Sequence, residues 1–272
     1  MQTSQYANIV GKDCGSAKHA TIRVIINKRN TQEEKSMNKI LADMHTHTIA
    51  SGHAYATLTE MCKEAANKGL EIYGITEHSS GIPGTCADIY FQNLRVVPRD
   101  LFGLDLRLGA EINIIDYNGT LDLDQKYIDR LDFVIAGIHS VCYKFGSKEE
   151  NTAAIINAIK NPNVNIISHP DDGRCPLDYE ALVQAAKEYH VLLEINNNAL
   201  RDKNRKNVKE NQKLIIENCK KYNHPFIMGS DAHFTTDIAN YDHCGPLVES
   251  MNVDNELIMN YYPDRLREFL RK

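Results

Sequence analysis

Short apolar runs, several of them rich in β-branched residues, recur along this chain, and each ends in a histidine or an acidic residue. Longer stretches with apolar residues at helical spacing lie between them. Strands that alternate with helices predict β-α units in a parallel barrel, whose polar residues at the strand carboxyl ends meet at one mouth. The six runs and their ends are 40–42 with Asp43-Met44-His45-Thr46-His47, 72–76 with Glu77-His78, 106–110 with Glu111, 133–138 with His139, 164–168 with His169, and 226–230 with Asp231-Ala232-His233.

The first run carries a His-x-His motif, formed by His45 and His47. Side chains alternate along an extended segment, so both imidazoles and Asp43 face the same way and can converge on one metal ion. A chain with 11 histidines can also contain such a motif by coincidence. The repeated strand ends favour the metal site, and they place His53, on the loop after the first run, at the same mouth.

Helix signals fill the intervals between the runs. Thr57 and Glu60 form a capping box that predicts a helix to about Lys68, which Gly69 ends. Further helices are predicted over 149–160, 178–189 and 208–222, with one or two closing helices over 255–272.

Two carboxylates and one arginine are candidate functional residues outside the histidine series. Glu111 follows a run that would otherwise be core, so it needs a charged or metal partner and can bridge two metal ions. Glu194, inside the apolar strand 191–198, also needs a polar partner. Arg99 is a candidate for holding an anionic substrate, whereas the acidic residues between 119 and 132 are interpreted as solvent-facing.

Length and composition predict one large domain. The chain has 272 residues, of which 42% are hydrophobic, and α/β barrels commonly take about 250 residues as a single domain. Residues 1–36 differ, because they are polar apart from the β-like run 20–26, and Met37 stands just before the first strand. We expect 1–36 to be a disordered extension or the result of a start assigned too far upstream, and 37–272 to form the catalytic barrel.

Charge and cysteine usage narrow the expected partners and compartment. A net charge of −5 gives no basic footprint, so we expect no stable nucleic-acid complex. No apolar run approaches the roughly 18 residues of a membrane span, and no signal-peptide pattern stands at the start; we therefore expect a cytoplasmic protein without a membrane partner. The 7 cysteines are scattered without a C-x-x-C pair, which predicts reduced thiols.

Eight motifs stand in order along residues 39–272, and the series resembles that of the polymerase and histidinol phosphatase (PHP) family, most closely its YcdX-like stand-alone phosphatases. The resemblance implies an α/β fold, a distorted seven-stranded (β/α)7 TIM-like barrel with its metal site at the carboxyl ends of the strands. The motifs are Asp43-Met44-His45-Thr46-His47, Ser51-Gly52-His53-Ala54-Tyr55, Thr76-Glu77-His78, Gly109-Ala110-Glu111, Ile138-His139, Ser168-His169-Pro170, Ile195-Asn196-Asn197-Asn198 and Gly229-Ser230-Asp231-Ala232-His233.

The resemblance also implies three divalent metal ions, with zinc favoured and manganese or iron as alternatives, because imidazole-rich shells without thiolates suit all three. Glu77 departs from the family, which more often has aspartate there, and this leaves its contact with the ligands open. The implied ligands are His45, His47, Glu111 and Asp231 for the first ion, His139, His169 and the bridging Glu111 for the second, and His53, His78 and His233 for the third.

The implied activity is that of a metal-dependent phosphatase that hydrolyses a small phosphomonoester by a metal-activated hydroxide. Glu111, Asp231 and Arg99 are its candidate catalytic residues, and either Asp231 or a water molecule protonates the leaving oxygen. One alternative is an amidohydrolase-type hydrolase acting on a C–N or C–O bond, which also begins with His-x-His but relies on a strand lysine that no run here ends in. Another is a metal-binding module without catalysis, which a chain with no second domain does not favour. The expected partner is a small phosphorylated substrate, and self-association stays open.

Overall fold

The computed structural model describes residues 39–270, which form a nearly closed barrel of seven parallel strands. The strands follow one another around the sheet in chain order, so each connection returns to the neighbouring strand. This arrangement confirms the predicted TIM-like barrel with seven strands. The predictions for residues 1–36 lie outside the described residues.

The barrel alternates strands and helices along the described part of the chain. None of the helices between 39 and 270 combines the length and the apolar character that a membrane crossing requires. The strands are β1 Ala42–Asp43, β2 Ile72–His78, β3 Asp105–Asn113, β4 Val134–Gly137, β5 Ile166–Ile167, β6 Leu192–Asn196 and β7 Phe226–Gly229. The helices are α1 Leu58–Asn67, α2 Ile89–Asn93, α3 Gln125–Ile128, α4 Lys148–Ile159, α5 Tyr179–Tyr189, α6 Val208–Tyr222, α7 Cys244–Ser250 and α8 Pro263–Leu270.

Local sequence signals fix where the longer helices begin. The hydroxyl of Thr57 accepts from the backbone of Glu60, whose carboxylate accepts from Thr57 in return, so the predicted capping box is present. Ser147 and Glu150 form an equivalent box at the start of α4, and Asp178 caps α5. A cap of this kind satisfies free N–H groups and stabilises a helix by about 1 kcal/mol.

Strand alternation divides the barrel interior into an apolar floor and a polar mouth. Ile135 of β4 points inward, whereas its neighbours Val134 and Ala136 belong to the apolar cluster shared with the surrounding helices. Inward residues near the amino ends of the strands form a second buried cluster, which Leu266 and Leu270 of α8 close from below. The same inward positions at the carboxyl ends carry acidic and histidine side chains, so the polar mouth rests on a dry floor.

The seam between β1 and β7 is held by isolated contacts and by one buried amide side chain. Thr46 and Ala232 form a single parallel bridge at its upper end. Below the bridge, Asn260 Nδ2 donates to the carbonyls of Ala42 and Met228 at 2.9 and 2.8 Å, and its Oδ1 accepts from Met228 N at 2.8 Å. This side chain therefore supplies backbone pairing that an eighth strand would supply in a complete barrel.

Candidate metal centre

The polar mouth brings the nine predicted metal-ligating residues together. Because parallel strands end at one edge, residues far apart in the sequence meet there. They are His45 and His47 after β1, His53 on the loop before α1, His78 at the end of β2, Glu111 in β3, His139 after β4, His169 after β5, and Asp231 and His233 after β7.

Glu111 lies at the centre of this group, with its two carboxylate oxygens facing different histidines. Oε1 lies 2.8 Å from His169 Nε2 and 3.3 Å from His139 Nε2. Oε2 lies 3.1 Å from both His45 Nε2 and His78 Nδ1. Since each oxygen faces its own group of imidazoles, the geometry suits a carboxylate that bridges two cations.

Asp231 faces the histidines on the other side of the centre. Its Oδ1 lies 3.3 Å from His47 Nε2 and 3.6 Å from His45 Nε2. Among residues 39–270, four overlapping sets of three donor atoms lie within 4.8 Å of one another, a spacing that one ion per set can span. The sets are His47, His78 and His233; His45, Glu111 and His169; His45, His47 and Asp231; and His78, Glu111 and His139.

His53 belongs to the centre but occupies its solvent side. Its exposed ring lies 5.0 Å from the ring of His78 and 4.9 Å from the ring of His233, centroid to centroid. None of the four sets of donor atoms in the described chain includes it. His53 is therefore the most accessible of the nine side chains to a ligand that enters from solvent.

Hydrogen bonds at Nδ1 fix the orientation of several rings. A ring that donates from Nδ1 presents the lone pair of Nε2, the atom that then binds a metal. The pairs are His45 with Glu194 at 2.7 Å, His47 with Ser51 at 3.1 Å and His139 with Asn113 at 2.7 Å.

Glu194, for which the sequence required a polar partner, lies beneath two of the histidines. Its Oε1 accepts from His45, and its Oε2 accepts from the backbone N–H of His169 at 2.7 Å. Gly229 on the neighbouring strand makes room for it, because a Cβ at that position would collide with the Glu194 carboxylate. Glu194 thus holds two candidate ligands in place without facing the cavity.

The structure also gives Glu77 a defined contact. Its Oε2 accepts from Ser51 Oγ and its Oε1 accepts from Thr48 Oγ1, both at 2.5 Å. Because the Ser51 hydroxyl donates to Glu77, its oxygen is free to accept from His47 Nδ1. Glutamate at this position therefore orients His47 through Ser51.

The expectation that the acidic residues between 119 and 132 face solvent without a role is wrong for Asp122. Its oxygens accept from Asn113 N and Asn113 Nδ2 at 3.0 and 2.7 Å. This fixes the Asn113 amide so that Oδ1 faces His139. The contact arises from an antiparallel bridge between Ile114 and Leu121. No local pattern in the sequence predicted this pairing.

Two of the candidate ligands have a backbone conformation that side-chain-bearing residues rarely adopt. His169 has φ of 29° and Asp231 has φ of 54°. Such backbone persists where surrounding contacts hold it, and it clusters at functional sites. Here the N–H of His169 donates to Glu194 and the N–H of Asp231 donates to the carbonyl of His45, so the centre itself holds both residues in place.

The surrounding charges keep the two candidate ligand carboxylates, Glu111 and Asp231, ionised. Burial by itself would raise the pKa of Glu111, but His45, His139 and His78 hold that pKa well below its usual range. Burial also opposes ionisation of Asp231, and His45 and the hydrogen bond from His47 hold its pKa well below the usual value. Ionised carboxylates are the form that binds metal.

The imidazoles respond to the same surroundings in two ways. Burial and the neighbouring His78 hold the pKa of His47 well below its ordinary value, so its ring is neutral. Although burial opposes it, the charges of Glu111 and Glu194 raise the pKa of His45 well above normal. The negative surroundings of His45 therefore favour a positive charge at its ring. Either a bound metal ion or a proton can supply that charge.

Two buried polar atoms of the centre have no hydrogen-bond partner within residues 39–270. They are Glu111 Oε2 and His78 Nδ1, which lie 3.1 Å apart. Leaving a buried polar atom unsatisfied costs about 1–3 kcal/mol, and a cation between these two atoms would satisfy both. The nitrogen and oxygen donors present therefore fit divalent metal ions.

The prediction that Arg99 holds an anionic substrate is wrong. Arg99 Nε donates to Asp132 at 2.7 Å, and its Nη1 donates to the carbonyls of Leu94 and Val97. The carbonyl of Arg99 accepts from the backbone of Leu106 near the start of β3. Its guanidinium therefore braces a loop at the amino ends of the strands, on the opposite side of the barrel from the centre.

Two arginines that the sequence analysis missed reach the mouth instead. A cavity of about 240 Å³ opens over the centre, and Arg174 and Arg205 line it together with His139 and His169. Arg174 lies on the loop after β5 and Arg205 on the loop after β6. The position of both arginines after strand carboxyl ends was the one sequence feature that could have indicated them. It did not single them out, because charged residues on loops are usually solvated.

The region that carries the centre matches known proteins. A family model described as "PHP domain" matches residues 43–218. A "probable phosphatase" of Caldicellulosiruptor saccharolyticus is 48% identical over 231 residues, which cover 84% of this chain and 95% of that protein. Another, of Acetivibrio thermocellus, is 42% identical over 234 residues, which cover 86% of this chain and 96% of that protein.

Two solved structures share the barrel at low sequence identity. Histidinol phosphate phosphatase of Lactococcus lactis, complexed with zinc, L-histidinol and phosphate, has a TM-score of 0.55 and 18% identity, and covers 79% of this chain and 95% of its own. A chain of an archaeal ribonuclease P structure with mature tRNA has a TM-score of 0.51 and 18% identity, and covers 85% of this chain and 92% of its own. At such identity the likeness concerns the fold.

Proposed function

Since this chain belongs to the PHP domain family, we propose that it is a metal-dependent phosphoesterase that hydrolyses a small phosphomonoester at this centre. The relatives named as phosphatases match the chain over its barrel. The observation that carries the proposal is the convergence of seven nitrogen and oxygen donor side chains around Glu111, at the floor of a cavity that opens to solvent.

We place three divalent metal ions in the centre, with zinc favoured and manganese or iron as alternatives. Such ions would lower the pKa of water from about 15.7 towards about 7 and would offset negative charge on phosphate oxygens. Zinc is the ion in the Lactococcus lactis phosphatase, and a thiolate-free shell supports all three metals. The proposed ligands are His45, His47, Glu111 and Asp231 for the first ion, His139, His169 and Glu111 for the second, and His53, His78 and His233 for the third.

Among the side chains of residues 39–270, Arg205 is the cation best placed to hold the phosphate group. It lines the cavity beside His139 and His169, and its side chain is 16% exposed. Among the described residues its side chain makes one hydrogen bond, from Nη1 to Asp171 Oδ1 at 3.4 Å, and its Nε lies 3.7 Å from Asp202 Oδ2. Nη2 therefore remains for phosphate oxygens. Burial and the charge of Arg205 lower the pKa of His169, so the field of the guanidinium reaches the centre.

Replacing Arg205 with glutamine should lower kcat/KM for an aryl phosphate by about 10²–10³-fold, because a preorganised donor to the developing charge is lost. Arg205→Lys should recover part of the loss, since it restores the charge but not the planar fork. Steady-state kinetics with the metal content held equal would measure both.

Arg265→Gln is the matched control for this prediction, because Arg265 pairs with Glu256 on the surface. It should leave kcat/KM unchanged. A value for Arg205→Gln within twofold of the parent enzyme would remove Arg205 from the phosphate site.

Asp231 suits the role of ligand better than that of proton donor. Its pKa is held well below the usual value by His45 and the hydrogen bond from His47 despite burial, so it carries no proton at neutral pH. We therefore assign protonation of the leaving oxygen to water in the cavity. Asp231 remains a candidate catalytic residue because, as a ligand, it would hold a metal ion that faces the substrate.

The amidohydrolase-type alternative gains no support from the described residues. Among residues 39–270, no lysine lines the cavity over the centre, although that class relies on a lysine at a strand end. Cytoplasmic localisation, self-association and the lack of a nucleic-acid partner remain predictions from the sequence.

A chelation experiment with a panel of esters tests the proposed function. Chelator should abolish release of phosphate from phenyl phosphate, and added Zn²⁺ or Mn²⁺ should restore it. A protein that cleaves none of the phosphate esters with any of these metals, but hydrolyses amides or carboxylic esters, would overturn the proposal in favour of the alternative class.

A further inference from the structure

The two arginines of the cavity differ in how strongly their charge is already neutralised. Arg174 Nε and Nη2 donate to Asp172 Oδ2 at 2.9 and 2.6 Å, and its Nε and backbone N–H also reach Oδ1 at 3.2 and 3.0 Å. Arg205 has one long contact with Asp171 at 3.4 Å and lies 3.7 Å from Asp202. The charge of Arg174 is thus already neutralised by Asp172, whereas Arg205 keeps an N–H donor that can bind an anion.

The ion pair of Arg174 and Asp172 forms part of one wall of the cavity. The guanidinium of Arg174 lies over the ring of Phe145, with 5.8 Å between the guanidinium carbon and the ring centroid. Both groups are planar, and they lie on adjacent loops after β4 and β5. The remaining walls of the cavity are mainly apolar, formed by Ile82, Ile138, Val141, Ile155, Leu177 and Cys175.

The charge balance of the cavity disfavours a second anionic group on the substrate. Three carboxylates line the cavity or pair with its arginines, from Asp171, Asp172 and Asp202, against the two guanidiniums. Once Arg205 engages the phosphate, the remaining side chains outside the metal centre sum to a negative charge. A carboxylate in that space would be repelled, since like charges that lie close together in a partly buried site repel one another.

We propose, on the basis of the proposed function, that Phe145, Arg174 and Asp172 form a specificity wall for the organic part of the substrate. The wall accepts a flat or apolar uncharged group by stacking and rejects a group that carries a second negative charge. The preferred substrate class is therefore an aryl or apolar alkyl phosphomonoester, and bisphosphates and carboxylated phosphates are poor substrates.

A matched pair of esters tests this wall. The metal-loaded enzyme should hydrolyse phenyl phosphate with a kcat/KM at least about tenfold above that for 4-carboxyphenyl phosphate, which differs by one carboxylate. Asp172→Asn leaves the Arg174 charge uncompensated and should shrink that ratio about tenfold. Arg174→Gln leaves the Asp172 charge uncompensated and should enlarge it.

Asp264→Asn provides the control for net charge, because Asp264 pairs with Arg267 at the surface on α8. It should leave the ratio unchanged. Equal use of the two esters by the parent enzyme, or shifts in the same direction for Asp172→Asn and Arg174→Gln, would overturn the specificity wall.

Binding separates this inference from the proposed reaction. Calorimetric titration with phenylphosphonate and 4-carboxyphenylphosphonate, which cannot turn over, should give the same order of affinity and the same opposite shifts in the two variants. Selective binding without hydrolysis of either ester would support the wall and contradict the phosphatase. Hydrolysis of both esters at equal rates, with equal binding, would support the phosphatase and contradict the wall.

Discussion

Replacing Glu111 with glutamine is expected to remove more than one equivalent of metal per chain and to lower kcat for an aryl phosphate about 10³-fold. Its two oxygens face different imidazoles, from His169 and His139 on one side and from His45 and His78 on the other. A carboxylate shared in this way affects two ions when it is lost. A thousandfold loss corresponds to about 4 kcal/mol of transition-state stabilisation, within the several kcal/mol that metal ions contribute.

Metal analysis after purification and steady-state kinetics measure the two effects of the Glu111 change. Glu194→Gln is the matched control, because Glu194 is an equally buried glutamate that holds His45 and the backbone of His169 without facing the cavity. It should lose about 10–100-fold in activity or metal affinity, less than the bridge does. A Glu111→Gln protein with the metal content of the parent would contradict the shared bridge.

Replacing Asn260 with alanine is expected to lower the free energy of unfolding by about 3–5 kcal/mol. The change removes the buried hydrogen bonds of this amide and leaves the N–H and the carbonyl of Met228 without their partners. Among the described residues, the carbonyl of Ala42 keeps only the Tyr241 hydroxyl, at 3.4 Å. Each unsatisfied buried group costs about 1–3 kcal/mol. The seam between β1 and β7 should open first, since the described residues give it one bridge and no continuous ladder.

Urea denaturation at fixed metal concentration measures this loss of stability. Asn218→Ala is the control, because Asn218 is partly exposed on α6 and its amide makes one bond, to the carbonyl of Leu214. It should change the free energy of unfolding by less than about 1 kcal/mol. If Asn260→Ala were no more destabilising than Asn218→Ala, the barrel seam would not depend on the amide.

The strand ends were predictable because each of the six apolar runs ends in at least one of the proposed ligands, and only His53 stands on a loop instead. Glu111 is an example, since a carboxylate after a buried run needs a partner whatever the rest of the chain does. Local sequence patterns of this kind do not predict contacts between loops that are distant in the chain. Arg99 stood on a loop that returns to the amino ends of the strands, and Arg205 on one that starts at a carboxyl end, yet both look alike in sequence.

The supporting contacts were unpredictable for a related reason. Asn260 pairs with a strand 218 positions before it, and neither its type nor its neighbours mark it as part of a barrel seam. Asp122 resembled a solvated turn residue until the bridge between Ile114 and Leu121 placed it against Asn113. The sequence therefore predicted which residues meet at the centre, and the structure was needed to find what holds them.

The most direct test of the central claim is hydrolysis of phenyl phosphate by the metal-loaded enzyme in ¹⁸O-water. If water attacks phosphorus at this centre, one ¹⁸O atom enters each released phosphate, no label enters the phenol, and no phosphorylated residue can be trapped by rapid quenching. Label in the phenol, or an isolable phosphorylated side chain, would contradict direct attack of water at the metal centre.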